Sequence, residues 1–402
     1  MAVLTDKVEF EGAQGDTLAA RLERPKGPPL GWALFAHCFS CSKDVHAAQR
    51  ISRRLTEHGF AVMRFDFTGL GQSEGDFANT NFSSNVQDLV KAAEFLGREF
   101  TAPSLLVGHS LGGAAVIAAA PQIASVKAVA TLAAPADADH VRKQFVSHID
   151  EIEETGEAEV RLAGRPFRIK KQFLDDIEGR SLDDIVHKLH AALLICHSPV
   201  DETVGIGNAT RLFVDAMHPK SFLSLDKADH LLSRAEDAEH AADVIGAWAL
   251  RYAKTADLPE PPPFSGDRCA TVAETGMGGF HSWVRAGRHV FIADEPEHVG
   301  GLDGGPHPYQ LLCASLAACT TMTLRMYANH KGYELGRITT HVEHQRDSKD
   351  VANARRDVFQ RTISVEADID EALGVKLLEI ANKCPVHRTL ERSATIETRR
   401  GN

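Results

Sequence analysis

Short apolar runs bounded by Gly, Pro and charged residues recur through the first 256 positions, at 32–36, 61–67, 105–107, 128–133, 192–196 and 222–225. Each has the length of a strand, and most are continuously apolar, so the series predicts strands buried on both faces. Between them lie helical patterns, with apolar residues returning every three or four positions over 47–57 and 85–100, and an almost wholly apolar stretch over 111–120. Strands alternating with helices predict a mostly parallel sheet covered on both sides. Ahead of this series, 8–22 reads as a hairpin turning at Gln14-Gly15-Asp16, where glycine accepts the positive φ of a tight turn.

Two stretches break the rhythm. The interval 136–190 is longer and more charged, with a hairpin pattern over 160–169 turning at Gly164; it predicts a small cap over the carboxyl edge of the sheet. At 257–267, Asp257-Leu-Pro-Glu-Pro-Pro-Pro-Phe-Ser-Gly-Asp267 sets four prolines in five positions, a stiff extended spacer. This places one domain at 1–256, its last helix at 235–253, and a second at 268–402. The second begins with Gly-rich turns. It continues with a helical stretch over 309–328 that is apolar nearly all round and therefore expected to be buried. A further helix is predicted over 371–382.

Composition narrows the classes. The 402 residues are 43% apolar and 25% charged, the balance of a globular chain and not of a disordered one or a fibre. Net charge is −11, from 44 basic and 55 acidic side chains, which argues against a nucleic-acid partner. The first residues lack a basic segment followed by an apolar one, and no uninterrupted apolar run reaches the roughly 18–20 residues of a membrane span. The most apolar stretch, 111–120, is too short, so no membrane association is expected. Seven Cys, at 38, 41, 196, 269, 313, 319 and 384, are odd in number and scattered, the usage of a reducing compartment. A cytoplasmic protein is expected.

Leu105-Leu-Val-Gly-His-Ser-Leu-Gly-Gly-Ala114 sets Gly-x-Ser-x-Gly between a predicted strand and a predicted helix. A nucleophile on such a sharp turn needs the space that Gly108 and Gly112 leave. Ser110 then projects at a helix N-terminus, where free N–H groups favour developing negative charge. A serine hydroxyl needs a base, and the base an orienting acid. Downstream, the strand at 192–196 runs into a loop carrying Asp201, and the strand around Leu223 into Lys227-Ala-Asp-His-Leu231, carrying His230. Ser, Asp, His, each after a strand, is an order that suits such a sheet. Asp137 and Asp139 follow an earlier strand and are alternatives for the acid. Asp226 and Asp229 are expected to cap the loop around His230. The oxyanion donors are expected to be the backbone N–H groups of Leu111 and Phe39, the latter from the turn Ala36-His-Cys-Phe-Ser40, in which His37 braces the turn. Cys38-Phe-Ser-Cys41 admits a redox pair or half a zinc site. With no second ligand pair at usable spacing, its thiols are expected to line the pocket.

Residues 8–253 resemble the α/β-hydrolase (serine esterase) family. Gly108-His-Ser-Leu-Gly112, Asp66-Phe-Thr-Gly-Leu-Gly-Gln-Ser-Glu-Gly75 and His230 carry the likeness. One departure is Cys38, where the family usually has Gly. The resemblance implies an α/β-hydrolase sheet with a small cap, and a serine carboxylesterase acting on small acyl or aryl esters through Ser110, His230 and Asp201. No metal or organic cofactor is called for.

In the second domain, Cys384 immediately precedes Pro385 and is placed to cap the next helix, a setting that lowers a thiol pKa. Cys313 and Cys269 are expected in the core. Residues 276–398 resemble the OsmC/Ohr family of thiol peroxidases, an α+β domain. Gly304-Gly-Pro-His-Pro-Tyr-Gln-Leu311, Ala317-Ala-Cys-Thr-Thr-Met-Thr-Leu324 and Cys384-Pro-Val-His-Arg-Thr-Leu390 carry that likeness. It implies Cys319 as peroxidatic thiolate and Cys384 as resolving thiol, reduction of organic hydroperoxides, and an intertwined homodimer. The family's Glu after the Pro is Tyr309 here, and its Arg has Arg285 and Arg288 as candidates. The alternative to an esterase with a dimerising OsmC-like domain is therefore a thiol-dependent hydroperoxide reductase with an accessory hydrolase.

Overall fold

The computed structural model describes residues 3–38, 41–162, 165–178, 181–256, 259–347, 356–392 and 394–400, with the backbone alone at 144, 162, 347 and 356. It forms two compact units, Met1–Pro259 and Glu260–Asn402.

In the first unit, β1 (Val3–Glu11) and β2 (Thr17–Pro25) pair antiparallel around Gly15, at φ 88°. Then follow β3 (Gly31–Ala36), α1 (His46–Glu57), β4 (Phe60–Phe65), α2 (Phe82–Glu99), β5 (Leu105–His109), α3 (Leu111–Ala119) and β6 (Ala128–Leu132). The chain next leaves the sheet for a 3₁₀ segment, α4 (Ile149–Thr155), the hairpin of β7 (Glu157–Leu162) and β8 (Arg165–Lys170), α5 (Lys171–Ile177) and α6 (Asp183–His187). It returns through β9 (Ala192–His197), α7 (Gly207–Asp215), β10 (Lys220–Ser224) and α8 (Ala235–Tyr252). The sheet order is β1-β2-β4-β3-β5-β6-β9-β10, parallel from β4 to β10.

Every residue of β3, β4, β5, β6 and β9 is buried, because alternate side chains feed separate cores on the two faces. Leu34, Met63, Leu106 and Val129 pack with Leu89 of α2 and Val116 of α3. Phe35, Val62, Val107 and Ala130 pack with Ile51 of α1 and Ile245 of α8. The excursion between β6 and β9 adds Phe145, Ile152, Phe173 and Ile177 to the first of these cores. Ala36 lies beside Gly108, Gly108 beside Thr131 and Leu132 beside Cys196. The loops leaving these strands therefore start level with one another.

The second unit has a three-stranded antiparallel sheet of β11 (Ala270–Glu274), β12 (Ser282–Ala286) and β13 (His289–Ala293). There follow α9 (Pro308–Lys331), the antiparallel pair β14 (Ile338–Asp347) and β15 (Arg356–Val365), α10 (Glu371–Ala381) and α11 (Pro385–Arg392). Pro308 opens α9 behind the cap His307, and Gly332 closes it at φ 71°. Its burial corrects the sequence expectation. Leu316, Thr320, Leu324 and Ala328 are buried, one line four residues apart, while Met322 and Met326 stand 65% and 72% exposed. By length and composition alone α9 could cross a membrane. Its apolar residues are interrupted by Ser315, Thr320, Thr321, Thr323 and Arg325, so they form no continuous apolar run.

Candidate active site

With β5 ending at His109 and α3 starting at Leu111, Ser110 makes the whole turn, at φ 55° and ψ −126°. A side chain held there stores backbone strain. The turn is over-determined by its neighbours. Ser110 N–H donates to Leu132 C=O at 2.8 Å, and Ser110 C=O accepts from Gly113 N–H at 2.8 Å. A Cβ on Gly108 would strike the Gly112 carbonyl, and one on Gly112 the carbonyls of Ala36 and His37. The two glycines thus let the Ser110 turn lie directly against the end of β3.

His230 Nε2 accepts from the Ser110 hydroxyl at 3.0 Å, and its Nδ1 donates to Asp201 Oδ2 at 2.8 Å. The other carboxylate oxygen of Asp201 accepts from the N–H groups of Thr203 and Val204, at 2.8 and 2.9 Å. Burial works against charge on Asp201, but His230 and these N–H groups outweigh it and hold the carboxyl below its usual range. The alternatives lie elsewhere: Asp137 pairs with Arg211 at 3.0 Å and Asp139 with Arg142 at 3.4 Å. Asp229 Oδ1 caps the loop after His230, accepting from Leu231 N–H at 2.9 Å and Ser233 N–H at 3.1 Å. Asp226 accepts from Ser224, its own neighbour in the turn. One brace had no sequence signal: buried His197 donates from Nε2 to Val204 C=O at 2.6 Å, under the Asp201 loop.

At the facing turn, Leu111 N–H belongs to the first turn of α3, where the helix supplies no acceptor. Phe39, expected as the second donor, lies outside the described residues. Buried His37 donates from Nδ1 to Cys38 C=O at 2.8 Å, and burial lowers its pKa. Cys38 and Cys41 form a disulfide, which corrects the expectation of two free pocket-lining thiols. Spacing alone did not distinguish a pair three residues apart from isolated thiols. Behind the turn lies a buried ion pair that sequence reading missed. Lys43 Nζ meets Asp66 Oδ2 at 2.6 Å and Gln72 Oε1 at 3.0 Å, and Lys43 N–H donates to Asp66 Oδ1 at 2.6 Å. Arg64 Nε holds the Lys43 carbonyl at 2.7 Å. A narrow cavity beside Leu111 and Gly112 is walled by His37, Phe67 and Phe82.

In the second unit, Cys319 of α9 and Cys384 ahead of α11 lie within hydrogen-bonding reach of each other. The Cys384 sulfur accepts from His387 N–H at 3.4 Å and from the Thr320 hydroxyl at 3.8 Å. Burial opposes charge on Cys384, but these donors and Cys319 outweigh it and lower its pKa. Burial raises the pKa of Cys319, and the neighbouring Cys384 adds to the rise. The nearby cation is Arg361 of β15, bonded to Thr320 Oγ1 at 2.9 Å and Asn382 Oδ1 at 2.8 Å. Neither expected arginine is shown at the thiols: Arg285 donates to the Pro262 carbonyl, and Arg288 lies 3.9 Å from Asp267. Arg361 escaped notice because an arginine on a strand reads as a solvated face. Tyr309 stacks on His344 with centroids 4.2 Å apart and accepts from Arg346 at 3.1 Å. Cys269 is exposed and Cys313 half-buried, so neither is the core thiol expected.

Comparison with known proteins adds to this geometry. Residues 42–155 match the family model "Serine aminopeptidase, S33", and 301–399 match "OsmC-like protein". The solved esterase domain of a Rhodothermus marinus protein is 51% identical, covering 63% of this chain and 100% of that one with a TM-score of 0.52. Alpha/beta hydrolase domain-containing protein 10 from mouse, 22% identical over 61% of this chain and 99% of its own with a TM-score of 0.51, shares the fold. Monoglyceride lipase of Rattus norvegicus is 31% identical over 119 residues, 29% of this chain. The match spans 39% of the rat protein's length.

Proposed function

Because the chain belongs to the α/β-hydrolase family and carries an OsmC-like domain behind that fold, we propose that it is a serine carboxylesterase for small acyl or aryl esters. The observation that carries this reading is the bonded series Ser110, His230, Asp201, at 3.0 and 2.8 Å. Ser110 Oγ attacks the ester carbonyl as His230 Nε2 takes its proton, and ionised Asp201 stabilises the imidazolium. The tetrahedral oxyanion is held by the N–H groups of Leu111 and Phe39. Collapse expels the alkoxide, which His230 protonates, leaving an acyl-Ser110 ester. Water, deprotonated by His230, attacks that ester; the acid leaves and Ser110 recovers its proton.

A panel of nitrophenyl esters, a monoacylglycerol and aminoacyl nitroanilides tests the reaction and separates ester from amide cleavage. Ser110→Ala is expected to lower kcat/KM on the best ester by on the order of 10³-fold or more. Full activity in that variant would remove the assignment.

The adjoining thiols favour a second reading for the OsmC-like domain, reduction of an organic hydroperoxide. One thiolate attacks the peroxide oxygen and releases an alcohol; the other thiol condenses with the sulfenic acid, giving a Cys319–Cys384 disulfide and water. An external dithiol then restores the pair. Mass spectrometry after one equivalent of alkyl hydroperoxide is expected to show that disulfide, and its absence removes this reading. The exposed apolar side of α9 supports a homodimer formed through this domain.

A further inference from the structure

We propose that His109 is a positioning residue that holds the His230 loop in register with Ser110 through a hydrogen bond from its Nε2–H to the His230 carbonyl. The inference rests on the esterase reading above. His109 is the last residue of β5, beside Leu132 of β6, so its backbone belongs to the most buried part of the sheet. The residue is 4% exposed, and its Nε2 lies 2.7 Å from His230 C=O. A carbonyl only accepts, so the proton is on Nε2 and the tautomer is set. Burial, then the neighbouring His230, lowers the His109 pKa to about 4. The ring is therefore a neutral donor throughout the range in which an esterase of this kind works.

The loop it holds is strained at both ends. Asp226 and Leu232, neither of them glycine, stand at φ 45° and 52°, and Leu232 is buried. Such conformations persist only where the surroundings enforce them. Asp229 ties the descending side of the loop to its own backbone. The start of the loop is joined to the end of β9, by Leu225 N–H to His197 C=O at 3.0 Å and by the Ser198 hydroxyl to Asp226 C=O at 3.1 Å, and His109 adds the link at His230 itself, to the strand that leads into Ser110. Since His109 and Ser110 are consecutive, one residue fixes the backbone of His230 while the next meets its ring. A shift of about 1 Å between nucleophile and base is enough to cost on the order of 10²-fold in rate. Neutrality has a second consequence. When Ser110 passes its proton to His230, the new cation faces the His109 ring at 5.4 Å, and a neutral ring adds no like charge. Asp201 and His37 are the other titratable groups acting on His109.

The test compares wild type with His109→Phe, which fills the space without a donor, and His109→Gln, which places an amide N–H near the position of Nε2. On a nitrophenyl ester, Phe is expected to lower kcat by about tenfold to 100-fold with KM within about twofold, and Gln to stay within about threefold of wild type. The rate at which a fluorophosphonate labels Ser110 should fall in step with kcat. Wild-type kcat in the Phe variant, or equal losses in Phe and Gln, overturns the proposal. If Phe does not fold, His109→Leu replaces it, and a loss above about tenfold in folded Gln overturns the proposal by itself. Ser110→Ala runs alongside. Activity persisting there sinks the esterase reading, whereas activity lost there but kept in Phe sinks this inference alone.

Discussion

Lys43 and Asp66, both buried and 2.6 Å apart, show how much of the site depends on single side chains that do no chemistry. The pair joins the turn after β3 to the loop after β4, and neither charge has water to fall back on. Removing the Lys43 ammonium leaves the buried Asp66 carboxylate with only the N–H groups of Lys43 and Gln72, at a cost of about 3 kcal/mol. Lys43→Met is therefore expected to lower the urea midpoint sharply and to reduce ester turnover. Lys43→Met combined with Asp66→Leu should recover part of the midpoint; no recovery would mean that the pair's charge is not what matters. His109 gives a pH prediction. Unfolded, it titrates near its ordinary 6.5; folded, near 4. Between those values the unfolded chain takes up a proton that the folded chain refuses, so stability is full above about 6.5 and falls until about 4. The difference corresponds to about 3 kcal/mol. Urea midpoints at pH 7 and 4.5 should fall less in His109→Gln than in wild type; equal falls would contradict the assignment.

α3 and α9 are both apolar nearly all round, and the chain treats them in opposite ways. Eight of the nine residues of α3 are buried, since the sheet covers one side and α2 and the excursion after β6 the other. α9 buries four of its 24 residues, because β14, β15, α10 and α11 cover only the line through Leu316 and Leu324. Periodicity marks a helix as apolar without saying whether its own chain can cover it. A second copy is the occupant proposed for the remaining face. Light scattering of the full chain at micromolar concentration is expected to give a dimer, and Met322→Lys with Met326→Lys to shift it to monomer. A monomeric wild type would overturn the dimer and weaken the hydroperoxide reading.

The relative from Rhodothermus marinus is solved as an esterase domain alone, and this chain covers all of it. The first unit likewise has its own two cores. A chain ending near Ala256 is therefore expected to fold and to keep its kcat on nitrophenyl esters within about threefold, with Ser110 still essential. Loss of folding would show that Glu260–Asn402 is needed for the hydrolase core. Intact folding with kcat lost would show that it completes the site.

Runs such as 32–36, 105–107 and 192–196 were legible as strands because continuous burial leaves no polar residue in them. Gly108 and Gly112 were legible because the turn at Ser110 leaves no room for a Cβ at either position. The order of Ser110, Asp201 and His230 followed from strands whose carboxyl ends share one edge. All of these are local constraints, written where they act. Asp201, not Asp137, lies beside His230, and that is a property of β9 and β10 lying side by side. Arg361 beside Cys384, Lys43 on Asp66, His109 on the His230 carbonyl and the bond between Cys38 and Cys41 left no comparable mark. Each joins groups whose separate residue types are common on surfaces and in turns, and their meaning comes from burial and a partner. Those are set when the chain closes on itself, since a charge or a ring nitrogen acquires its role from what desolvates it and what it faces.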